Sequence, residues 1–146
     1  MFPQPTGQTQ FRDSSVENDR TYYYAVRAIR QDAGTTARGE PSARVAATPV
    51  RTTLPPPPTS LVATPSGRTV RLSWAPSADP DVGGYVVYRA SGAGDFTRVG
   101  STRVPWTTFT DRDVPPGTYR YAVTAQDTTA RANESSRSNI VTITVR

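Results

Sequence analysis

The feature that most constrains the fold of this chain is a short alternating segment that occurs twice. Residues 117–125 alternate inward apolar positions with outward ones, and residues 20–28 repeat the pattern about 97 positions earlier. A period of two predicts a half-buried β-strand. The spacing is that of one β-sandwich domain. The inward positions of the two copies include Tyr119, Tyr121, Val123, Tyr22, Tyr24 and Val26.

The composition favours many short strands joined by turns. Only 35% of the residues are hydrophobic, and the 14 prolines and 10 glycines cluster between short apolar runs. None of these runs approaches the ~20 apolar residues that a membrane-spanning helix needs. We therefore expect an all-β chain with no membrane span.

The absence of cysteine and histidine excludes several kinds of site. Disulfides, thiolate zinc sites and histidine-based catalytic triads cannot be built from this chain alone. All 17 basic residues are arginine, against 12 acidic residues. They are spread over every segment and form no basic stripe, so we predict no nucleic-acid partner. Two explanations for the exclusive use of arginine remain open: the codon usage of the genome, and selection for binding to acidic polymers. We predict a chain that is not an enzyme and holds no cofactor.

The first 50 residues predict a partial unit of about three strands. Residues 1–9 read as a turn-rich lead-in without a signal-peptide pattern. Predicted strands cover 10–16, 22–29 and 41–48, with a loop at 31–39. Residues 51–58 include four successive prolines and predict a stiff linker between domains, with a ligand for an SH3-type groove as the alternative.

Residues 59–146 predict a complete domain of seven alternating strands. Strands of this length with turns at this spacing describe an antiparallel sandwich of two sheets. The predicted strands cover 61–63, 70–74, 84–89, 96–99, 106–111, 117–125 and 139–145. The predicted core of this domain contains Leu61, Leu72, Trp74, Tyr85, Val87, Tyr119, Tyr121 and Val123.

The same region resembles the fibronectin type III family in its bacterial, secreted form. The resemblance rests on Leu72-x-Trp74, on Gly84-Tyr85-x-Val87-Tyr88-Arg89, on Phe109-x-Asp111, and on Pro116-Gly117-Thr118-Tyr119-x-Tyr121-x-Val123. It implies an immunoglobulin-like sandwich and a non-catalytic module outside the cell. It also implies a tyrosine corner at Tyr119 and Tyr22, in which the hydroxyl bonds to upstream backbone. Residues 1–50 match only the last three strands of the family pattern.

Acidic loop residues give weak signals for a metal or a reaction. Asp79 and Asp81 are too few for a calcium loop, and solvated turn acids are the simpler interpretation. These two acids, with Asp127, Glu134, Asp111 and Asp113, are the only candidates for the acid–base pair of a glycoside hydrolase, but no cleft is predicted to desolvate them. Arg38-Gly39-Glu40 differs from the integrin motif Arg-Gly-Asp in its last residue and reads as an ordinary hairpin loop.

Several apolar residues are predicted on outward faces, where solvent is expected. They form a candidate interaction surface, covered by a neighbouring domain, another chain or a carbohydrate. Ordinary exposed apolar side chains are the alternative. The candidate residues on outward faces are Tyr23, Ile29, Val86 and Tyr88, and Phe11 of the partial unit is added to the candidate surface.

The partial first unit leads to the functional hypothesis. Three strands leave the inner faces of Phe11, Tyr22 and Val45 without a facing sheet, so we expect strands from another chain to complete the unit. Successive copies would then build a larger assembly or a filament. A truncated and disordered half-repeat is the alternative. We expect a secreted or cell-surface spacer and protein-interaction module, or else an accessory module of a secreted carbohydrate-active enzyme.

Overall fold

The computed structural model describes residues 5–146, and residues 1–4, the start of the predicted lead-in, lie outside the described part. All regular secondary structure in residues 5–146 is β-strand. The chain divides into two compact units, with the boundary between Arg51 and Thr52.

The first unit contains two antiparallel strand pairs. Strand β1 (Tyr22–Tyr24) pairs with β4 (Val45–Ala47), and β2 (Ile29–Asp32) pairs with β3 (Thr35–Arg38). The sequence predicts a loop over 31–39, and the structure has a hairpin there instead. Its two turn residues, Ala33 and Gly34, both have positive φ, 41° and 87°, which is the requirement of the tight hairpin turn that matches strand twist.

The strand predicted over residues 10–16 is absent. The chain there carries no ladder bonds. The corresponding strand of the second unit, β9 (Thr108–Asp111), pairs along its length with β6 (Thr69–Ala75). The described part of the first unit has no counterpart of β6, so this segment has no neighbour with which to form a strand.

The second unit is a two-layer antiparallel sandwich. Three strands form one sheet in the order β5-β6-β9, and four form the other in the order β11-β10-β7-β8. The remaining strands are β5 (Thr59–Ser66), β7 (Val82–Ser91), β8 (Thr97–Arg103), β10 (Gly117–Asp127) and β11 (Val141–Val145). They lie at the predicted places, but Phe96 and Trp106 precede the strands to which the sequence assigned them.

The core of the second unit lies between these sheets. Trp74 from β6 packs edge-on against Tyr85 from β7, with ring centroids 5.5 Å apart. The period-two pattern places alternate residues of each strand in this layer. All the residues predicted for this core are buried, namely Leu61, Leu72, Trp74, Tyr85, Val87, Tyr119, Tyr121 and Val123.

The proline-rich stretch packs within the second unit and is not a free connector. The unit begins at Thr52, Pro58 is fully buried, and the Ser77 hydroxyl donates to the Pro56 carbonyl at 2.9 Å. Most of the predicted linker at 51–58 therefore belongs to the second unit, and only the residues next to the boundary between Arg51 and Thr52 connect the two units. Proline suits this position because it lacks an N–H that would need a ladder partner.

Candidate protein interface

The strand pair β1–β4 reproduces the register of β10–β11. Tyr24 lies opposite Val45 in the first unit, and Tyr121 lies opposite Val141 in the second. The neighbouring pairs follow the same register in both units. The sequence repeat therefore corresponds to a structural repeat of the last two strands.

Serine side chains continue the repeat beyond the strand ends. The Val26 N–H donates to Ser42 Oγ at 3.0 Å, and the Ser42 N–H donates to the Val26 carbonyl at 2.7 Å. Val123 and Ser138 make the same two bonds at 3.0 and 2.8 Å. The two units thus share the backbone network of this hairpin, down to individual hydrogen bonds.

A tyrosine–aspartate bond is also repeated, but only one copy has a cation beside it. Tyr24 donates to Asp13 at 3.1 Å, and Tyr121 donates to Asp111 at 2.9 Å. Asp111 also accepts a charge-assisted bond from Arg89 at 2.8 Å. Burial, and then the bond to Asp111, raises the pKa of Tyr121, so this phenol stays a proton donor. Asp13 has no corresponding arginine among the described residues.

The tyrosine corner implied by the family resemblance is present in the first unit. The Glu17 N–H donates to the Tyr22 hydroxyl at 2.9 Å. Tyr119 differs, since its ring lies under the Arg89 guanidinium at 5.5 Å, and within the described part of the chain its hydroxyl makes no bond to upstream backbone. The corner holds the turn before β1 even though the facing sheet is missing.

Exposure separates the two copies. Val123 is 0% exposed, whereas Val26 is 74% exposed, and Phe11 is 61% exposed where Phe109 is partly buried. The prediction that Val26 lies in a core is therefore wrong for the chain alone. The reason is that the described first unit has no sheet facing β1 and β4. We call the residues left on this side the open face: Phe11, Tyr22, Tyr24, Val26 and Val45.

The first unit also has an open strand edge. In the second unit, β10 pairs with β11 on one side and with β7 on the other, where Val123 lies opposite Val87 and Tyr121 opposite Arg89. Within residues 5–146, β1 pairs only with β4. Its other edge presents backbone groups to which a further strand can bond.

The predicted surface residues of the first unit are exposed. Tyr23 is paired with Ala46 on the side of β1 opposite to Tyr22 and Tyr24, and both Tyr23 and Ile29 are accessible to solvent. Tyr23 is separate from the open face, because successive strand residues point to opposite sides, whereas Phe11 belongs to the open face.

The predicted surface of the second unit is covered by the chain itself. Val86 is only 2% exposed, so its assignment to an interaction surface is wrong. Tyr88 is partly buried and donates to Glu134 at 2.7 Å, and Arg137 lies 5.9 Å from the Tyr88 ring centroid. Glu134 and Arg137 belong to the connection between β10 and β11, which lies over this face. Alternation along one strand carries no information about such a covering segment.

Two exposed apolar residues near β9 were missed by the sequence reasoning. Trp106 is largely exposed and Val104 is 45% exposed. Both lie in the turn between β8 and β9, where the Trp106 N–H donates to the Arg103 carbonyl at 2.9 Å. The signal available in the sequence was Pro105, since proline next to Trp106 disfavours a central strand.

The acidic residues considered for metal binding are engaged locally. The Asp81 N–H donates to Asp79 Oδ1 at 2.9 Å, the bonding of an ordinary aspartate turn. In residues 5–146 no three histidine, cysteine or acidic side chains come together as a potential metal site. Over the same residues no helix has the length and apolar character needed to cross a membrane.

Comparison with known proteins identifies the fold. No protein-family model matches the sequence. A fibronectin type III-like protein from Clostridium thermocellum shares 26% identity over 64% of this chain and 96% of that chain, with a TM-score of 0.54. The β-1,2-glucanase from Parabacteroides distasonis shares 27% identity over 64% of this chain but only 14% of that chain, with a TM-score of 0.53.

A longer match covers both units. The FN1–FN3 domains of chicken CNTN1 match 93% of this chain and 46% of that chain at 16% identity, with a TM-score of 0.59. At this identity the likeness concerns the fold alone. The chain has an all-β, antiparallel, immunoglobulin-like fold of the fibronectin type III kind. Domains with this fold are generally non-catalytic modules.

Proposed function

We propose that this chain is a non-catalytic, extracellular or cell-surface spacer and interaction module whose first unit is completed by strands of a second polypeptide. One observation carries the proposal. The first unit has the register and hydrogen bonds of the last two strands of a sandwich, yet the face that is buried in the second unit is open in the first.

Burial of the open face would contribute to association. Burying an apolar side chain such as Phe11, Val26 or Val45 contributes roughly 1.5 to 3 kcal/mol each, and these three side chains are exposed. A strand added at the free edge of β1 would also form backbone hydrogen bonds. Part of this gain is offset by the loss of translational and rotational freedom on binding.

The geometry of such completion favours extended assemblies. The open face lies on one unit, while a donor half would belong to a different surface of another polypeptide. Head-to-tail contacts of this kind propagate unless a rotation closes them into a ring. Donation between successive subunits would build a larger assembly or a filament where each subunit also carries an unoccupied donor half; within residues 5–146 the strands of that kind, β5–β8, are already occupied by β9–β11.

The side chains support a binding role more than a catalytic one. The sequence has no histidine or cysteine, and Asp111, a candidate acid, is held by Arg89 at 2.8 Å and by Tyr121 at 2.9 Å inside the sandwich. A carboxylate held in this way stabilises the fold and faces no substrate cleft.

Native mass spectrometry of material from the natural source, combined with hydrogen exchange, tests the proposal. We expect a stoichiometric second polypeptide and slow exchange over residues 22–28. A lone chain with fast exchange in this segment would contradict completion. A single longer chain with slow exchange would contradict a second polypeptide, because the missing strands would then belong to the same one.

A second candidate function is an accessory module of a secreted carbohydrate-active enzyme. The likeness to the β-1,2-glucanase favours it, since the matched part is 14% of that protein, as expected for one module among several. The full reading frame distinguishes the two proposals. A catalytic domain in the same polypeptide would support the accessory role, and a reading frame composed only of fibronectin-like units would contradict it.

A further inference from the structure

We infer that the strand completing the first unit carries an arginine opposite Tyr24 and that this arginine pairs with Asp13. The inference rests on the proposed function and specifies the chemistry of the partner. It follows from comparing the two aspartates with the strands that surround them.

The second unit shows the complete arrangement. Arg89 lies opposite Tyr121 in the β7–β10 ladder. Its guanidinium donates to Asp111 Oδ2 at 2.8 Å, and the Tyr121 hydroxyl donates to the same oxygen at 2.9 Å. The Asp111 side chain is almost fully buried. A buried carboxylate requires such a cation, because desolvating an unpaired charge is costly.

The first unit contains two of these three groups. Tyr24 donates to Asp13 Oδ2 at 3.1 Å, while Ser15 satisfies Oδ1 through its N–H and its hydroxyl at 2.9 and 2.6 Å. The bonds from Ser15, and then the one from Tyr24, outweigh desolvation and lower the pKa of Asp13. Asp13 is therefore a carboxylate at neutral pH. Covering it with an apolar strand would bury an anion, whereas an arginine opposite Tyr24 would neutralise it.

Phe11 adds a second requirement. Its counterpart Phe109 packs over Gly100 in β8, and a Cβ atom at Gly100 would overlap the Phe109 ring. A donor that covers Phe11 in the same way needs a glycine at this point of its next strand. The partner is thus a fibronectin-like half with an arginine in one strand and a glycine in the adjacent one.

The chain itself supplies a probe with these properties. Strands β5–β8 contain both Arg89 and Gly100. The inward residues that they cover in the second unit match the open face in type, apart from Ile143 and Val145, whose counterparts in the first unit are Ala47 and Pro49. In the intact chain these strands are occupied by their own β9–β11, so they are available only as an added copy.

The test is a fusion in which a copy of residues 57–107 precedes Gln10 of the chain. Gln10 corresponds to Thr108, the first residue of β9. The copied residues therefore join the first unit through the same turn that connects β8 to β9 in the second unit. Hydrogen exchange at the Val26 amide reports the stability of the completed unit. We expect Asp13→Asn and, in the copy, Arg89→Met each to lower its protection about tenfold, which corresponds to about 1.4 kcal/mol. The double variant should lose little more, since both changes remove one interaction.

Asp32→Asn is the matched control, because Asp32 lies in the exposed β2–β3 hairpin beside Arg30, and it should leave protection unchanged. If Asp13→Asn and Arg89→Met in the copy lower the protection additively, the two side chains do not interact and the arginine inference is overturned. The completion of the first unit by the copied strands would still stand. A fusion in which the Val26 amide gains no protection would contradict completion itself, and with it the proposed function.

Discussion

The two copies of the last hairpin have the same bonds and opposite surroundings. Val26 and Val123 each donate to a serine Oγ at 3.0 Å, yet Val26 is 74% exposed and Val123 is 0% exposed. The comparison shows that the register of this hairpin is a local property of its sequence. Burial of the hairpin depends on a second sheet that packs against it. Within residues 5–146 only the second unit has such a sheet.

The comparison predicts first that the core of the second unit depends on Trp74. Trp74→Ala should reduce the free energy of unfolding of that unit by about 3 to 5 kcal/mol, because it leaves a large cavity between the sheets. Its indole N–H is buried without a hydrogen-bond partner in the described part of the chain, so losing it relieves part of this cost. Chemical denaturation followed by circular dichroism measures the change.

Trp106 is the matched control, since it is the other tryptophan and is largely exposed. Trp106→Ala should change the stability by less than about 0.5 kcal/mol. Equal effects of the two substitutions would contradict the assignment of Trp74 to the core.

The second prediction compares how much Val123 and Val26 contribute to stability. Val123→Ala should destabilise the second unit by about 2 to 3 kcal/mol through lost burial and a cavity. Val26→Ala in the chain alone should have an effect below about 0.5 kcal/mol. Denaturation of both variants gives these values, and a large effect of Val26→Ala would show that its side chain is already covered.

The third prediction concerns the two aspartates. Asp111→Asn should cost about 1 to 2 kcal/mol, because the charge-assisted bond from Arg89 weakens while the Tyr121 bond can persist. Asp13→Asn in the chain alone should have little effect on its denaturation curve. A loss from Asp13→Asn as large as that from Asp111→Asn would indicate a cation beside Asp13 that the chain already provides.

The smallest expected effect is a pH dependence of the second unit. Burial alone would raise the pKa of Asp127, but hydrogen bonds from Asn133 and Thr129 outweigh it and lower that pKa from its ordinary value. This stabilisation is present above the unfolded value and is lost as the pH falls through the lower native value. Asp127→Asn should therefore flatten the acid limb of a plot of stability against pH, and an unchanged limb would contradict it.

The second unit was largely predictable from the sequence because its strands bury one face each. The alternation of apolar and polar residues therefore identifies core residues such as Leu72, Trp74 and Val87 from the sequence alone, and all three are buried. Alternation failed at Val86, which is buried on the face where the connection between β10 and β11 contacts Tyr88 and Thr124. It also failed at residues 10–16, where the residues fit a strand but the described part of the first unit has no strand beside them.

The candidate interface was predicted in part. The incomplete set of strands was visible in the spacing of the repeat, and Phe11 was named as a surface residue. The hydrogen bonds from Val26 to Ser42 and from Tyr24 to Asp13 were not predicted, because they join residues 16 and 11 positions apart. The described residues provide no arginine beside Asp13, and this difference from Asp111 depends on three-dimensional positions that the sequence pattern does not contain.

Residue-resolved hydrogen exchange of the chain alone is the most direct test of this account. The Val26 and Val123 amides make hydrogen bonds of equal length to serine, so a difference in protection isolates the contribution of the facing sheet. The account predicts that Val123 exchanges only by global unfolding of its unit and that Val26 exchanges orders of magnitude faster. Equal, strong protection of both amides in a monomeric chain would contradict the claim that the first unit is incomplete.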